Sequence, residues 1–113
     1  MFAWLMGLRT IAPDGVRRLA HDPQASVIDV NARERWMAAH VPGARNLDPV
    51  TYEDSDLPDD KDAALVFYCS GVMCRKAPIA ARRAEKMGYR NVRVMSAGIN
   101  GWLAAKMPTE AGG

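Results

Sequence analysis

A chain of 113 residues, 49% hydrophobic and 25% charged, has room for one ordinary globular core and none for a second domain. Two cysteines and two histidines are too few for a disulfide framework or a zinc ligand set. A net charge of +2, with bases that are not interleaved with aromatics, argues against a nucleic-acid binder.

In chain order, residues 1–8 are apolar (Met-Phe-Ala-Trp-Leu-Met-Gly-Leu). They are too short to span a bilayer and lack the basic start and cleavage pattern of a signal peptide. Residues 1–9 are therefore expected to be an extension that packs on the fold. Alternatively, Phe2 and Trp4 present a sticky patch to a partner or a second copy. Cytoplasm is the expected compartment, without a membrane span. Residues 10–108 form the expected domain and 109–113 a flexible tail.

Pro13 opens a helix over 13–20, and the apolar run at 26–30 reads as a buried strand. A short helix over 33–39 stops before the turn His40-Val41-Pro42-Gly43. Residues 47–63 are a long irregular stretch carrying Asp48, Glu53, Asp54, Asp56, Asp59, Asp60 and Asp62 against the single base Lys61. That acidic run is expected to be a solvated loop, with docking of a basic partner as the alternative. A second strand covers 64–68, and a helix over 77–87 shows an apolar stripe at Ile79, Ala80, Ala84 and Met87, closed by Gly88. A third strand over 92–95 precedes a helix over 99–106 in which Trp102 is a core anchor. Strands alternating with helices predict an α/β fold with a mainly parallel central sheet flanked by helices on both faces.

The chemistry concentrates where the second strand ends. Phe67-Tyr68-Cys69-Ser70-Gly71-Val72-Met73-Cys74-Arg75-Lys76 runs from apolar strand through a short loop to a basic helix start. In such sheets ligands bind beyond the C-terminal strand ends. A curled loop can aim successive N–H groups and the positive helix end at a sulfur. Helix N-termini and neighbouring Arg or Lys lower a free thiol pKa from ~8.5 to roughly 3.5–7.5, so Cys69 is the candidate nucleophile. Backbone amides over 70–75 would cradle an anion, Arg75 and Lys76 would steer or hold it, and Val72 and Met73 read as lip residues. The basic C-terminal half would draw a small anionic substrate. Cys74 leaves three readings open: a buried inert thiol, a resolving partner for Cys69, or a second sulfur carrier or the nucleophile itself, although the strand-end position favours Cys69 for that role. Asp29, one strand earlier, reads as a turn or helix cap, and His40 as a structural hydrogen-bonding residue. No metal or organic cofactor is implied.

Val27-Ile28-Asp29-Val30, the segment from His40 to Leu47, Phe67-Tyr68-Cys69, Gly88-Tyr89-Arg90-Asn91-Val92, Ala97-Gly98 and Trp102 follow one another in register. Together they resemble the rhodanese (sulfurtransferase) superfamily, within it a single-domain protein with a two-cysteine active-site loop. The resemblance implies that Cys69 accepts a sulfane sulfur from a donor such as thiosulfate or a persulfide. Cys69 would then pass it, as its own persulfide, to cyanide or to a thiol acceptor, for instance a thioredoxin-like or sulfur-relay protein. The loop departs from the common sulfurtransferase pattern by about two extra residues, and Cys74 stands where that loop usually places Arg. Cys69 to Arg75 also has the spacing of the related cysteine phosphatases and arsenate reductases, which hold a tetrahedral oxyanion with their Arg. Lys76 where that loop has a hydroxyl residue, Tyr68 before the cysteine, and the bulk of Val72 and Met73 count against an oxyanion loop. A non-catalytic redox or binding module is the third alternative. Oligomeric state is left open.

Overall fold

The computed structural model describes residues 7–113; Phe2, Trp4 and the rest of residues 1–6 lie outside the described residues. In chain order the elements are β1 (Arg9–Thr10), α1 (Pro13–Leu19), β2 (Ser26–Asp29), α2 (Arg33–Ala38), β3 (Arg45–Asn46), a 3₁₀ turn (Asp54–Asp56), β4 (Leu65–Tyr68), α3 (Lys76–Lys86), β5 (Val92–Val94) and α4 (Gly98–Ala104). The strands form one parallel sheet in the order β1-β5-β4-β2-β3, as the alternation of strand and helix predicts.

β4 is the centre of the sheet. Leu65, Val66, Phe67 and Tyr68 are all inaccessible to solvent, as a continuous apolar run requires of a strand covered on both faces. Burying one side chain of this size contributes about 1.5–3 kcal/mol. Because side chains alternate along a strand, the four split between two cores. Leu65 and Phe67 join Ile28, Val30, Val92 and Val94 beneath α3. Val66 and Tyr68 join Val27, Val16 of α1, and Ile99 and Trp102 of α4 on the opposite face. Trp102 is the core anchor expected of it, its indole Nε1–H donating to the Pro108 carbonyl at 2.7 Å.

Several expectations need correction. The stripe on α3 is formed by Ala77, Ala80, Ala81 and Ala84, while Ile79 is 43% exposed. The small side chains let the helix lie close to the sheet, which turns the bulkier residue outward. Secondly, β1 and β3 were not expected. Two polar residues each give no periodicity, and only pairing with β5 and β2 makes them strands. The acidic stretch is also more than a solvated loop, because Tyr52, Leu57 and Ala63 are buried. There the Tyr52 hydroxyl donates to the Ala80 carbonyl at 2.6 Å, and Arg83 Nε donates to the Tyr52 carbonyl at 2.8 Å. Lastly, helix ends differ by one or two residues, α4 stopping at Ala104 before Lys106 turns to a φ of 58°.

Leu8, assigned to the extension, packs in the core under α3. Residues 109–113, expected as a flexible tail, pair with the body. His40 and Glu110 exchange backbone hydrogen bonds at 2.9 Å, and Gly112 N–H donates to the Met37 carbonyl at 2.8 Å. Among the described residues no helix is long and apolar enough to cross a membrane.

Candidate active site

Cys69 follows the last residue of β4 and is 2% exposed, on the α3 side of the sheet. Its backbone is held from the other side, where Ile99 N–H donates to the Cys69 carbonyl and Asn100 N–H to the Ser70 carbonyl, both at 2.9 Å. The first amides of α4 thus anchor the loop rather than facing a ligand. Close approach is possible because residue 98 is glycine. Its φ is +64°, and a Cβ there would lie 2.5 Å from the Ser70 carbonyl carbon and oxygen and 2.6 Å from the Gly71 nitrogen. Gly98 and Asn100 are supports that the reading of the cysteine loop missed. The sequence signal was an isolated Gly at a helix start, which acquires meaning only once the loop is seen against it.

The loop curls through a turn closed by Cys74 N–H donating to the Gly71 carbonyl at 3.1 Å. That takes Cys74 out of the expected set of free amides. Among the described residues, the N–H groups of Ser70, Gly71, Val72 and Met73 make no hydrogen bond to protein. Val72 and Met73 project outward, 53% and 72% exposed. Arg75 caps α3 in the αR conformation, its carbonyl accepting from Ile79 N–H at 3.1 Å, and Lys76 begins the helix. Both basic side chains are exposed. The Asp48 carboxyl is held below the ordinary 3.8, chiefly by the Val50 amide, with the Lys76 charge the smallest of the contributions.

The turn brings the two cysteines together. Cys69 and Cys74 are joined as a disulfide, with Cα atoms 6.4 Å apart, inside the ordinary range for such a bond. Cys69 is the buried member and Cys74 the half-exposed one, packed against the rim of the core.

Asp29 and His40 lie apart from this loop. Both are buried, and they share a polar group with Tyr68 on the opposite face of the sheet. Asn31 N–H donates to Asp29 Oδ1 at 2.7 Å, and Val41 N–H donates to the Tyr68 hydroxyl at 3.0 Å. Burial pushes the Asp29 carboxyl above its usual value, opposed by the Tyr68 hydroxyl and the Asn31 amide. Burial, then the neighbouring Asp29, raises the Tyr68 phenol. The His40 ring stacks on Trp36 with centroids 4.4 Å apart, its Nδ1 lying 2.6 Å from the Trp36 carbonyl. These contacts occupy it in holding the 40–43 turn.

Several known proteins are similar to this chain. A transcriptional regulator of the helix-turn-helix type from Mycobacterium tuberculosis is 34% identical over 91 residues, covering 79% of this chain and 39% of the relative. Arsenate reductase 2.1 of rice is 29% identical over 100 residues, covering 77% of this chain and 61% of the relative. The chain thus spans less than two thirds of either relative. A human thiosulfate:glutathione sulfurtransferase is 26% identical over 113 residues, covering 88% of this chain and 96% of the relative. Among solved structures, a thiosulfate sulfurtransferase from Pseudomonas aeruginosa superposes with a TM-score of 0.82 at 18% identity, over 98% of this chain and 22% of that one. That likeness supports the parallel α/β architecture. The Rhodanese-like domain model matches residues 12–105, the whole span from α1 to α4, and the chain belongs to the rhodanese-like domain family.

Proposed function

We propose that this protein is a sulfurtransferase in which Cys69 carries sulfur as a persulfide. The observation that carries the reading is the setting of Cys69. It stands at the C-terminal end of the central strand, at the head of a loop in which four successive amides, those of residues 70–73, donate to no protein group among the described residues. Once the Cys69–Cys74 bond is reduced, the Cys69 thiolate attacks the outer sulfur of thiosulfate. The S–S bond of the donor breaks, sulfite leaves with the bonding pair, and Cys69 holds the sulfur as a persulfide anion. An acceptor nucleophile, cyanide or a thiolate, then takes the outer sulfur and restores the Cys69 thiolate. In this reading the amides over 70–73 stabilise the persulfide anion, and Arg75 and Lys76 attract the donor.

Reduced protein should produce thiocyanate from thiosulfate and cyanide, and Cys69→Ser should lose that activity to background. A serine variant with the wild-type rate would overturn the assignment. A second reading, an oxyanion-handling enzyme, is favoured by the Cys69 to Arg75 spacing and by the similarity to the rice arsenate reductase. Assaying the same preparations with an aryl phosphate and with arsenate separates the two, since only the second reading expects turnover that disappears in Arg75→Ala.

A further inference from the structure

The loop holds two sulfur atoms where sulfur transfer needs one. We propose that Cys74 discharges the Cys69 persulfide, giving the protein a further activity: the release of hydrosulfide from sulfane-sulfur donors at the expense of a dithiol. The inference rests on the sulfurtransferase reading of Cys69 and adds a second fate for the same persulfide.

Its basis is the geometry of the loop. The 71–74 turn folds Cys74 back over the end of β4, so that its sulfur bonds to that of Cys69 across a Cα separation of 6.4 Å. The Cys69 carbonyl is fixed by Ile99 N–H and the Ser70 carbonyl by Asn100 N–H, so the near end of the loop cannot swing away. A persulfide formed on Cys69 therefore has its inner sulfur within reach of the Cys74 thiolate, with no second molecule required. This intramolecular attack competes with any acceptor at an effective concentration that is commonly millimolar for a short tether.

The step balances as follows. The Cys74 thiolate attacks Cys69 Sγ, the bond from Sγ to the outer sulfur breaks, and that sulfur leaves with the electron pair as hydrosulfide. The persulfide is reduced to hydrosulfide, and the two cysteine thiols are oxidised to the disulfide found in the structure. Restoring the loop takes two electrons from a dithiol, either a small dithiol or a dithiol carrier protein. Cys74 is the more exposed cysteine, so the first thiolate of the reductant attacks Cys74 Sγ and frees Cys69. Its second thiolate then releases Cys74.

The test uses the full chain, reduced and freed of reductant under anaerobic conditions, then given one equivalent of thiosulfate. Hydrosulfide is measured colorimetrically and the protein by intact mass and peptide mapping. Wild type should release one hydrosulfide per chain and finish as the Cys69–Cys74 disulfide. Cys74→Ser, and Cys74→Ala as a second variant, should retain one added sulfur on Cys69 and release none. Wild type that keeps the added sulfur on Cys69 as long as the Cys74 variants do overturns the inference and leaves sulfur transfer standing, as does wild type carrying the sulfur on Cys74. Folded Cys74 variants that take up no sulfur at all, judged by an unchanged circular dichroism spectrum, overturn the sulfurtransferase reading itself.

Discussion

Asp29 is inaccessible to solvent between the central strand and the turn at 40–43. Its carboxyl is pushed above the ordinary 3.8, first by burial, with the Tyr68 hydroxyl and the Asn31 amide opposing. Between 3.8 and that raised value the folded protein binds more protons than the unfolded chain, so stability falls as pH rises through the window and levels off above it. Asp29→Asn keeps the Oδ1 that accepts from Asn31 N–H and removes the charge. Its stability relative to wild type should therefore increase as pH rises through that window. Urea unfolding at successive pH values measures this, and parallel curves for the two proteins would show that Asp29 gains nothing from neutrality. Strand position and an acid at the strand end were readable from residues 26–30. The sharing of Tyr68 with Asp29 was not, since it joins residues distant in sequence, and the stacking of His40 on Trp36, four residues before it, depends on how the chain leaves α2 rather than on any local pattern.

Between elements, the decisive junction is that of the cysteine loop with the start of α4. Two N–H groups of α4 are spent on loop carbonyls, and Gly98 sits where any side chain would collide with Ser70. Gly98→Ala adds a Cβ 2.5 Å from backbone atoms, which cannot rotate aside, and places it at a φ of +64°. A cost of about 1–3 kcal/mol is expected from the backbone conformation alone. Thiocyanate formation should fall in the same variant, because relief of the clash moves the loop that carries Cys69. Chemical denaturation together with the thiocyanate assay checks both. Full activity and stability in the variant would mean that the loop is positioned by β4 alone. Helical periodicity located α3 to within a residue but chose Ile79 as a buried residue. Periodicity marks a face, whereas the closeness of the sheet decides which side chains fit on it, and here four alanines and Pro78 do.

At the scale of the molecule, charge is divided unevenly along the chain. Acids concentrate over 48–62, and bases outnumber acids from residue 63 onward. The fold brings part of the acidic segment against α3, through Tyr52 on Ala80 and Arg83, and leaves Arg75 and Lys76 exposed beside the cysteine loop. An anionic donor approaching those two bases feels an attraction that salt screens. The kcat/KM for thiosulfate should decline as ionic strength rises from about 0.01 M to about 0.15 M, over which the Debye length shortens from roughly 30 Å to roughly 8 Å. A rate indifferent to salt would assign the two bases a role other than attraction. The radius of gyration of 12.4 Å is that of one compact domain of about a hundred residues, in line with a chain length that allows a single core.

The sequence by itself determined the three long strands, the alternation that makes the sheet parallel, the helices on both faces and the place of Cys69 at a strand end. These follow from local pattern, since a buried strand needs a continuous apolar run and an amphipathic helix needs its period. Only the tertiary structure decided which residues surround that cysteine. It supplied the edge strands, anchored the loop on α4 through Gly98, set Asp29 and His40 on the far face of the sheet, and joined Cys74 to Cys69. Each of these depends on distances between segments that are remote in sequence or turned by a few loop dihedrals, and packing rather than local propensity fixes such distances.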